Sequence, residues 1–479
     1  MQLSKVLIIS LPIALTLLAG CASAPPYQRP AIALPAQFKQ ATAAAQDAGI
    51  WRPVQPQDAA VPEAWWRLYA DPDLDRLQQQ AGGDANPGIA QAVARLRAAQ
   101  AAVAGSRAGL LPSLGASGTA TRARSATGSG GGTNNSYSLG LNASWELDLW
   151  GRLSGAVDAS QAQAQASSAD LAAARLSLQA SLAQAYFALR TAEAQQRLLQ
   201  ESLAAYEQSW QLTRNRERAG VASSADVAQA EAQYKSTQAQ LIEAGTSRAQ
   251  LEHALAALLG LAPAAFDLPA TGLLPAPPLV PAELPAELLR RRPDIAAAER
   301  RVGAANADLG VARTAYFPAL TLSGAAGYRG ARLSDLVSAP QLFWSLGPAL
   351  AATLFDGGAR DASVESARAA LDLATAGYRQ SVLTALQEVE DNLAAATSLA
   401  QQQQVQTEAV AAAQRALDVV SNQYRAGTVA YLNVLSAQTT GLAARRSLID
   451  VQGRRLVAVN TLLKNVAGRW ESAESYQKQ

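Results

Sequence analysis

The chain has 479 residues, with 40 basic and 38 acidic side chains, a formal net charge of +2, and one Cys, one His and one Met. This near-neutral balance excludes the basic footprint of a nucleic-acid-binding protein. A single His and a single Cys exclude a clustered His/Cys metal site, and no phosphate-binding glycine motif is present. His253 lies in a helical pattern and is interpreted as structural, so we expect no enzyme activity, no metal and no cofactor.

The N-terminus has the features of a secretory signal. Lys5 supplies a positive charge, an apolar run extends from Val6 to Leu18, and "LAGC" ends at Cys21. A short apolar run of this kind is typical of a signal peptide and not of a membrane span. The Cys after Leu-Ala-Gly favours a lipoprotein signal at residues 1–20 with lipid attached to Cys21, over an ordinary signal followed by a chance Cys. Ala22 favours the outer membrane, by similarity to other bacterial lipoproteins.

Proline-rich segments divide the rest of the chain. Residues 21–62 are predicted to be a lipidated, extended leader, and residues 262–285 a connector near the middle. The connector separates a first long segment, 63–261, from a second, 286–467, and residues 468–479 form a C-terminal tail.

The two long segments repeat each other in the spacing of their landmarks. The matching pairs are Pro112 and Pro318 (318 − 112 = 206), Gly151 and Gly357 (357 − 151 = 206), and Gly220 and Gly427 (427 − 220 = 207). Ala-rich sequence mimics similarity in composition, but it does not reproduce spaced Pro and Gly positions. We therefore interpret the chain as a tandem duplication, in which each copy runs helix, strand pair, long helix, turn and helix.

Alternating apolar and polar residues predict one strand pair in each copy, at 113–149 and 318–355. The clearest alternation has its apolar positions at Tyr137, Leu139, Leu141, Ala143, Trp145, Leu147 and Leu149. Phe343 breaks the alternation of the last strand, and Pro348 disfavours a central place for that strand in a sheet. The loop of each pair is polar, as in "RSATGSGGGTNN".

Strands of this length with polar loops at one end favour a membrane β-barrel over the edge of an ordinary two-hairpin sandwich. Aromatic residues near the strand ends are candidates for a membrane-interface girdle: Tyr137, Trp145, Tyr328 and Trp344. Open sheet edges are not tolerated in lipid, and single-chain barrels start at about eight strands. Four strands per chain therefore predict that several copies share one barrel.

Two long helices are predicted at 152–217 and 359–424, each about 100 Å long at about 1.5 Å per residue. Steps of four and three residues place one seam on each helix, as in a coiled coil. The first seam includes Leu182, Leu189, Leu199, Tyr206 and Trp210, and the second includes Val382, Val389, Leu393, Gln403 and Thr407. Many seam residues are small or polar, so the seam is interpreted as one that opens or is shared among several helices.

Each long helix ends at a similar "RAG" turn, with tips predicted at 218–226 and 425–433. The glycines suit a left-handed helix end, and the arginines suit the negative end of the helix dipole. Ser223 or Ser224 is a candidate N-cap for the helix after the first tip, and Thr428 for the helix after the second. The residues that define the two tips are Arg218, Gly220 and Ser223, and Arg425, Gly427 and Thr428.

The stretch "LRRRPDIAAAERRVGAANADLGVARTAYFPALTL" at 289–322 resembles the TolC-like outer membrane efflux proteins, nearest to the lipoprotein channels of resistance–nodulation–division (RND) pumps. "WWRLYADPDLDRLQQQA" at 65–81 and "SWELDLWGR" at 144–152 resemble the same family. The resemblance implies an α-helical coiled-coil barrel continuous with a 12-stranded transmembrane β-barrel, built by a homotrimer with four strands per chain. It also implies an outer-membrane location with a long periplasmic extension, and as partners a periplasmic adaptor (membrane fusion) protein and an inner-membrane RND-type pump.

The resemblance further implies a function for the tips, which would dock on the adaptor and close the pore; the alternative is two inert connectors. In some members, rings of carboxylates constrict the pore above the second tip, where this chain has Asn433 and Ser436. Asp226 occupies the matching place in the first tip, and the family suggests a hydrogen bond to Tyr424 of the neighbouring hairpin. We therefore expect a polar and partly apolar gate at Tyr424, Leu432, Asn433 and Ser436, with Asp226 beside it.

Two alternatives remain open from the residues. The channel could be the exit of a type I protein secretion system, which the same architecture would serve. A structural or adhesive coiled-coil lipoprotein would explain the seams and the lipid, although it leaves the alternating strands unexplained.

Overall fold

The structure is a computed structural model, and it describes residues 27–41, 51–53, 64–82, 86–124, 132–282 and 291–466. The predicted signal at 1–20, the lipid site Cys21 and the tail at 468–479 lie outside these residues. The chain divides into two compact units. The sheet unit takes its described residues from Met1–Ala31, Ala94–Ser168 and Ala297–Arg379, and the helical unit from Ile32–Val93, Ala169–Ala296 and Gln380–Gln479.

Long helices dominate the described chain. The α-helices are α1 (Pro72–Ala81), α2 (Pro87–Ala108), α3 (Arg152–Arg218), α4 (Ser224–Leu258), α5 (Pro293–Thr314), α6 (Ala359–Arg425) and α7 (Tyr431–Val466). The strands are β1 (Trp51–Pro53), β2 (Ser113–Arg124), β3 (Thr133–Leu147), β4 (Val280–Ala282), β5 (Ala319–Gly330) and β6 (Leu342–Ala351). The helices α3 and α6 are each 67 residues long, because neither contains a Pro that would interrupt the backbone hydrogen bonds.

The sheet unit contains a four-stranded antiparallel sheet in the order β2-β3-β5-β6. Tyr137 of β3 pairs with Ala120 of β2 and Gly330 of β5, which fixes the register at the loop end of the hairpins. Pro348 lies on β6, which is an edge strand within the chain, and pairs with Leu322 of β5. The missing N–H of Pro348 therefore does not interrupt a central ladder.

The two faces of this sheet differ sharply in polarity. Residues that pair across strands share a face, and one face carries almost only apolar and aromatic side chains. On β6 this face includes Trp344, 75% exposed, and Leu346, 69% exposed. The opposite face carries mostly hydroxyl, amide and small side chains, among them Ser138, Asn142 and Thr321. Phe343, which breaks the alternation, belongs to the polar face and lies over Gly140.

The hydrophobic core of the helical unit surrounds the middle of α3. It joins α1 and the α4 C-terminus to α6 and α7, and Leu182, Leu189, Val389 and Leu393 are fully buried there. Farther along α6 the same seam continues through the half-buried Gln403 and the exposed Thr407. The apolar packing of the predicted seam is therefore concentrated in one segment of α6, whereas on α3 it continues through the buried Leu199 and Tyr206.

The leader and the connector meet in a way that the sequence did not indicate. Within the predicted leader, Trp51–Pro53 pairs in parallel with Val280–Ala282 of the predicted connector. Each strand has three residues and contains a Pro, so neither has a recognisable alternating pattern. The sequence predicts an extended leader and a connector, but it does not predict that six of their residues pair as strands.

Candidate functional site

Both predicted tips lie in the helical unit and end their helices with the same hydrogen-bonded turn. Gly220 has φ +73° and Gly427 has φ +76°, the left-handed conformation predicted for them. In the first tip Val221 N–H donates to the Arg216 carbonyl at 2.9 Å, and in the second Thr428 N–H donates to the Gln423 carbonyl at 3.0 Å. These are the long bonds of a Schellman motif, which satisfies carbonyls that a helix end leaves without partners.

The first tip continues into α4 through a capping box. The Ser223 hydroxyl accepts from the Asp226 N–H at 3.1 Å, and the Asp226 carboxylate accepts from the Ser223 N–H at 3.1 Å. Ser223 is thus the N-cap, and Ser224 is the first helical residue. This reciprocal pair satisfies two donors at the start of α4 and holds the turn in one conformation.

The second tip lacks such a cap, and the predicted capping role of Thr428 is wrong. The Thr428 hydroxyl donates to the Gln423 carbonyl at 3.1 Å, at the end of α6, while α7 begins three residues later at Tyr431. Ala430 therefore stands at the N-cap position, and an alanine side chain cannot accept the hydrogen bond of an N-terminal N–H.

Tyr424, predicted as a gate residue, is buried between the two hairpins of the chain with 7% of its surface exposed. Its hydroxyl lies 3.4 Å from the Thr213 hydroxyl, and its ring contacts the Tyr431 ring edge-on at 5.6 Å between centroids. Ala230 and Val434 complete this small cluster. The pKa of Tyr431 is raised to about 12, mainly by burial and secondly by the charge of the nearby Tyr424. The Tyr431 hydroxyl therefore stays protonated at neutral pH.

Arg216 is the residue of this region that the sequence analysis missed. Its guanidinium lies over the Tyr424 ring, with 4.6 Å from Cζ to the ring centroid, and its Nη1 donates to the Tyr424 carbonyl at 3.1 Å. A cation from the end of α3 thereby stabilises the negative end of α6. The signal for Arg216 in the sequence is the cluster of arginines in "RNRER", of which the predicted tip includes only Arg218.

The structure does not join Asp226 to Tyr424 within this chain. Among the described residues, the Asp226 carboxylate has its hydrogen bonds to Ser223, and the Tyr424 hydroxyl has its contact with Thr213. The hydrogen bond suggested by the resemblance is therefore absent between hairpins of the same chain.

The other three predicted gate residues lie together on the exposed side of α7. Leu432 is 56% exposed, and Asn433 and Ser436 are exposed as well. Positions three and four apart are neighbours on a helix, so Ser436 lies next to both Leu432 and Asn433. The structure thus groups these three residues and separates them from the buried Tyr424.

The predicted docking residues of the tips are exposed. Arg218, Gly220 and Ser223 are exposed in the first tip, as are Arg425, Gly427 and Thr428 in the second. Val221 adds an apolar side chain that is 63% exposed. Each tip thus exposes one of the predicted arginines, and the first tip also exposes an apolar side chain.

The four residues predicted to form a girdle share the apolar face of the sheet but do not lie at one level along the strands. Tyr137 and Tyr328 lie near the loop end, and Trp145 lies near the opposite end, where its Nε1–H donates to the Leu110 carbonyl at 2.9 Å. Trp344 pairs with Ala326 in the interior of the sheet. Its position is therefore less suited to a girdle than the other three.

Within the described residues, no helix combines the length and apolarity that crossing a bilayer requires.

Comparison with known proteins identifies the family. The family model described as outer membrane efflux protein matches residues 83–261 and 284–468, one match in each half of the chain. The chain belongs to the outer membrane efflux protein family. It is thus a member of a family of outer-membrane channels and not of an enzyme family.

The chain is similar to members of the outer membrane efflux protein family over nearly its whole length. The chain is 34% identical over 472 residues to the probable efflux pump outer membrane protein TtgC of Pseudomonas putida, covering 97% of this chain and 96% of that protein. It is 30% identical over 458 residues to the cation efflux system protein CusC of Escherichia coli, covering 95% and 97%. The solved outer-membrane channel OprN matches with a TM-score of 0.85 and 31% identity, covering 94% of this chain and 100% of that one.

Proposed function

We propose that this outer membrane efflux protein is the exit duct of a tripartite efflux pump. Three copies form one channel in the outer membrane, anchored by lipid on Cys21 and extended into the periplasm. An inner-membrane RND-type pump delivers substrate through a periplasmic adaptor, and the duct conducts it passively outward.

The observation that carries this proposal is the two-faced sheet with unpaired edges. Its apolar face suits the hydrocarbon of a membrane, and its polar face suits a water-filled channel. The edge strands β2 and β6 have unused hydrogen-bonding groups, which the membrane core does not tolerate. Pairing β2 of one copy with β6 of the next removes these edges, and three copies give a closed barrel of 12 strands.

The exposed patch Leu432–Asn433–Ser436 is proposed as the narrow part of the closed channel. An uncharged patch would close the channel by polar and apolar contact, without the attraction for cations that carboxylates provide. The tips, built on rigid Schellman turns, are proposed as the adaptor-docking surface, because a fixed backbone loses little entropy on binding.

Two measurements on purified protein test the duct. Light scattering should give a trimer, and planar-bilayer recordings should give a conductance from it. A monomer, or a trimer without conductance under any opening condition, would refute the proposal and leave the coiled-coil lipoprotein as the remaining reading.

Cysteine chemistry tests the gate, because Cys21 is the only Cys in the sequence. In the variant Ser436→Cys, a charged thiol reagent should reduce the conductance, whereas the matched variant Ser436→Ala should not respond. A second test is Asn433→Asp, which should introduce block by divalent cations. If Asn433→Asp conducts and blocks as the wild type does, Asn433 is not a pore residue.

A further inference from the structure

Two arginines interrupt the apolar face of the sheet at its loop end. Arg122 pairs with Asn135, and Arg124 pairs with Thr133, in the two same-face positions that follow the pair Ala120–Tyr137. Strand alternation therefore places both guanidinium groups on the face that also carries Tyr137, Leu139 and Leu141. Both arginines are exposed.

The level of the arginines matches the headgroup layer of a bilayer. At about 3.4 Å per residue, Arg122 lies about 7 Å and Arg124 about 14 Å along the strand beyond the level of Tyr137. The apolar face between Tyr137 and Leu147 spans about 34 Å along the strand, or about 25 Å for strands tilted by about 40°. This equals the height of an outer-membrane apolar band, so the arginines come just beyond it.

The described part of the chain does not pair the charges of these two arginines. Among the described residues, neither Arg122 nor Arg124 has an ion pair or a hydrogen bond through its side chain, whereas Arg152 at the opposite end is bound by Glu146 at 2.7 Å. The second copy of the repeat has Tyr328 and Gly330 at the corresponding positions, 206 residues later (328 − 122 = 206). The paired cations are thus specific to the first hairpin.

We propose that Arg122 and Arg124 bind the phosphate groups of the outer-leaflet glycolipid. The inference rests on the proposed function. The helices attach at the end of the strands opposite the hairpin loops, so a periplasmic location of the helices places the loops at the outer surface of the membrane. Arginine forms bidentate hydrogen bonds with phosphate, which suits a headgroup that bears phosphates on a sugar. The lipid would then be held by acyl chains against the apolar face and by phosphates against the two arginines.

The expected strength follows from the charge. A basic residue near an anionic membrane surface contributes about 1 kcal/mol, which corresponds to about a five-fold change in affinity. Removing both arginines should therefore weaken binding of a phosphorylated lipid about 30-fold.

The test compares two lipids with identical acyl chains, bisphosphorylated lipid A and its dephosphorylated form. Native mass spectrometry of the detergent-solubilised protein measures the affinity for each. The wild type should prefer the phosphorylated lipid, the variant Arg122→Ser/Arg124→Ser should lose the preference, and Arg122→Lys/Arg124→Lys should keep part of it. The matched control is Arg329→Ser, which removes an arginine at the same end of the sheet but on the polar face, where it contacts Phe343; it should bind like the wild type.

Three results would overturn the inference: a wild type that does not distinguish the lipids, a double variant within about three-fold of the wild type, or equal losses in the double variant and Arg329→Ser. Bilayer conductance of the same preparations separates this outcome from that of the proposed function. A double variant that conducts normally but ignores phosphate supports both proposals, whereas a wild type that binds phosphate without conducting contradicts only the duct.

Discussion

The guanidinium of Arg216, at the end of α3, covers the ring of Tyr424 near the end of α6 and donates to the carbonyl of the same residue. One side chain thus connects the two hairpins of the chain at the level of the tips. Its Nη1 also lies 3.5 Å from the Arg425 carbonyl. Gly427 lies close to the same guanidinium, since a Cβ at this position would be 3.9 Å from Nη2 of Arg216. The second tip, which has no side-chain N-cap, is therefore stabilised by the first hairpin.

We expect Arg216→Gln to loosen the second tip. The variant loses a cation–π contact and a charged hydrogen bond to a helix end, which together contribute about 1–3 kcal/mol. Hydrogen exchange should become faster at Gly427 and Thr428, while that at Gly220 and Val221 changes little. Arg218→Gln removes an exposed arginine from the same helix turn and is the control; equal exchange in the two variants would contradict the role of Arg216.

The glycines of the two turns should not tolerate a side chain. Gly220→Ala and Gly427→Ala force an L residue into the left-handed region, at a cost of about 1–2 kcal/mol each in the free energy of unfolding. No atom lies within 4 Å of a Cβ added at Gly220, so the cost there is one of backbone conformation. Gly441→Ala is the matched control, since Gly441 lies inside α7 with equal space around it and should become more stable by about 0.5–1 kcal/mol. Destabilisation by Gly441→Ala equal to that by Gly220→Ala would show that volume matters and not conformation.

The parts of this fold that local patterns could predict are those that local chemistry determines. Alternation placed Leu139, Leu141 and Trp145 on one face, because a strand has a period of two. The glycines of the tips were recognisable because only glycine adopts their conformation without a penalty. Ser223 and Ser224 are both N-cap candidates in the sequence, and the capping box with Asp226 in the structure decides for Ser223.

What escaped prediction depends on residues distant in sequence. The pairing of Trp51–Pro53 with Val280–Ala282 has no local signature, and the partner of Arg216 lies 208 positions away. Thr428 has the right residue type for an N-cap, but the turn places its hydroxyl toward the preceding helix. The assignment of Tyr424 to the gate relied on resemblance, while its burial depends on Thr213, Tyr431 and Arg216 around it.

A buried ion pair in the helical unit should be sensitive to truncation. Arg190 and Glu193 are each 1% exposed and lie 2.8 Å apart, and Arg190 also donates to the Pro269 carbonyl of the connector. Arg190→Met leaves a buried carboxylate short of one partner and should cost about 3 kcal/mol or more in chemical denaturation. Arg197→Met, which breaks the exposed pair with Glu201, should change stability by less than about 1 kcal/mol. Equal effects would show that the buried pair contributes no more than a surface one.

Stability at acid pH should depend on Asp294 at the start of α5. Burial would raise the pKa of this carboxyl, but the Arg292 guanidinium, bonded to both of its oxygens at 3.0 and 2.7 Å, holds the pKa below its ordinary value of 3.8. Because the folded state binds the proton less readily than the unfolded state, the stabilisation is complete above the ordinary pKa and is lost as the pH falls through the folded value. In the variant Asp294→Asn, the thermal unfolding midpoint should therefore decrease less than in the wild type as the pH is lowered below about 4.

Asp308, on the same helix, provides the control of opposite sign. The residue as a whole is exposed, but partial burial of its carboxyl raises the pKa of that group, so the folded state binds the proton more readily than the unfolded state. Its ionisation destabilises the protein as the pH rises through the interval between the two pKa values, and Asp308→Asn should raise the midpoint near pH 7 while leaving the acid limb unchanged. Identical pH profiles for the two asparagine variants would contradict both assignments, since the two carboxylates should act in opposite directions.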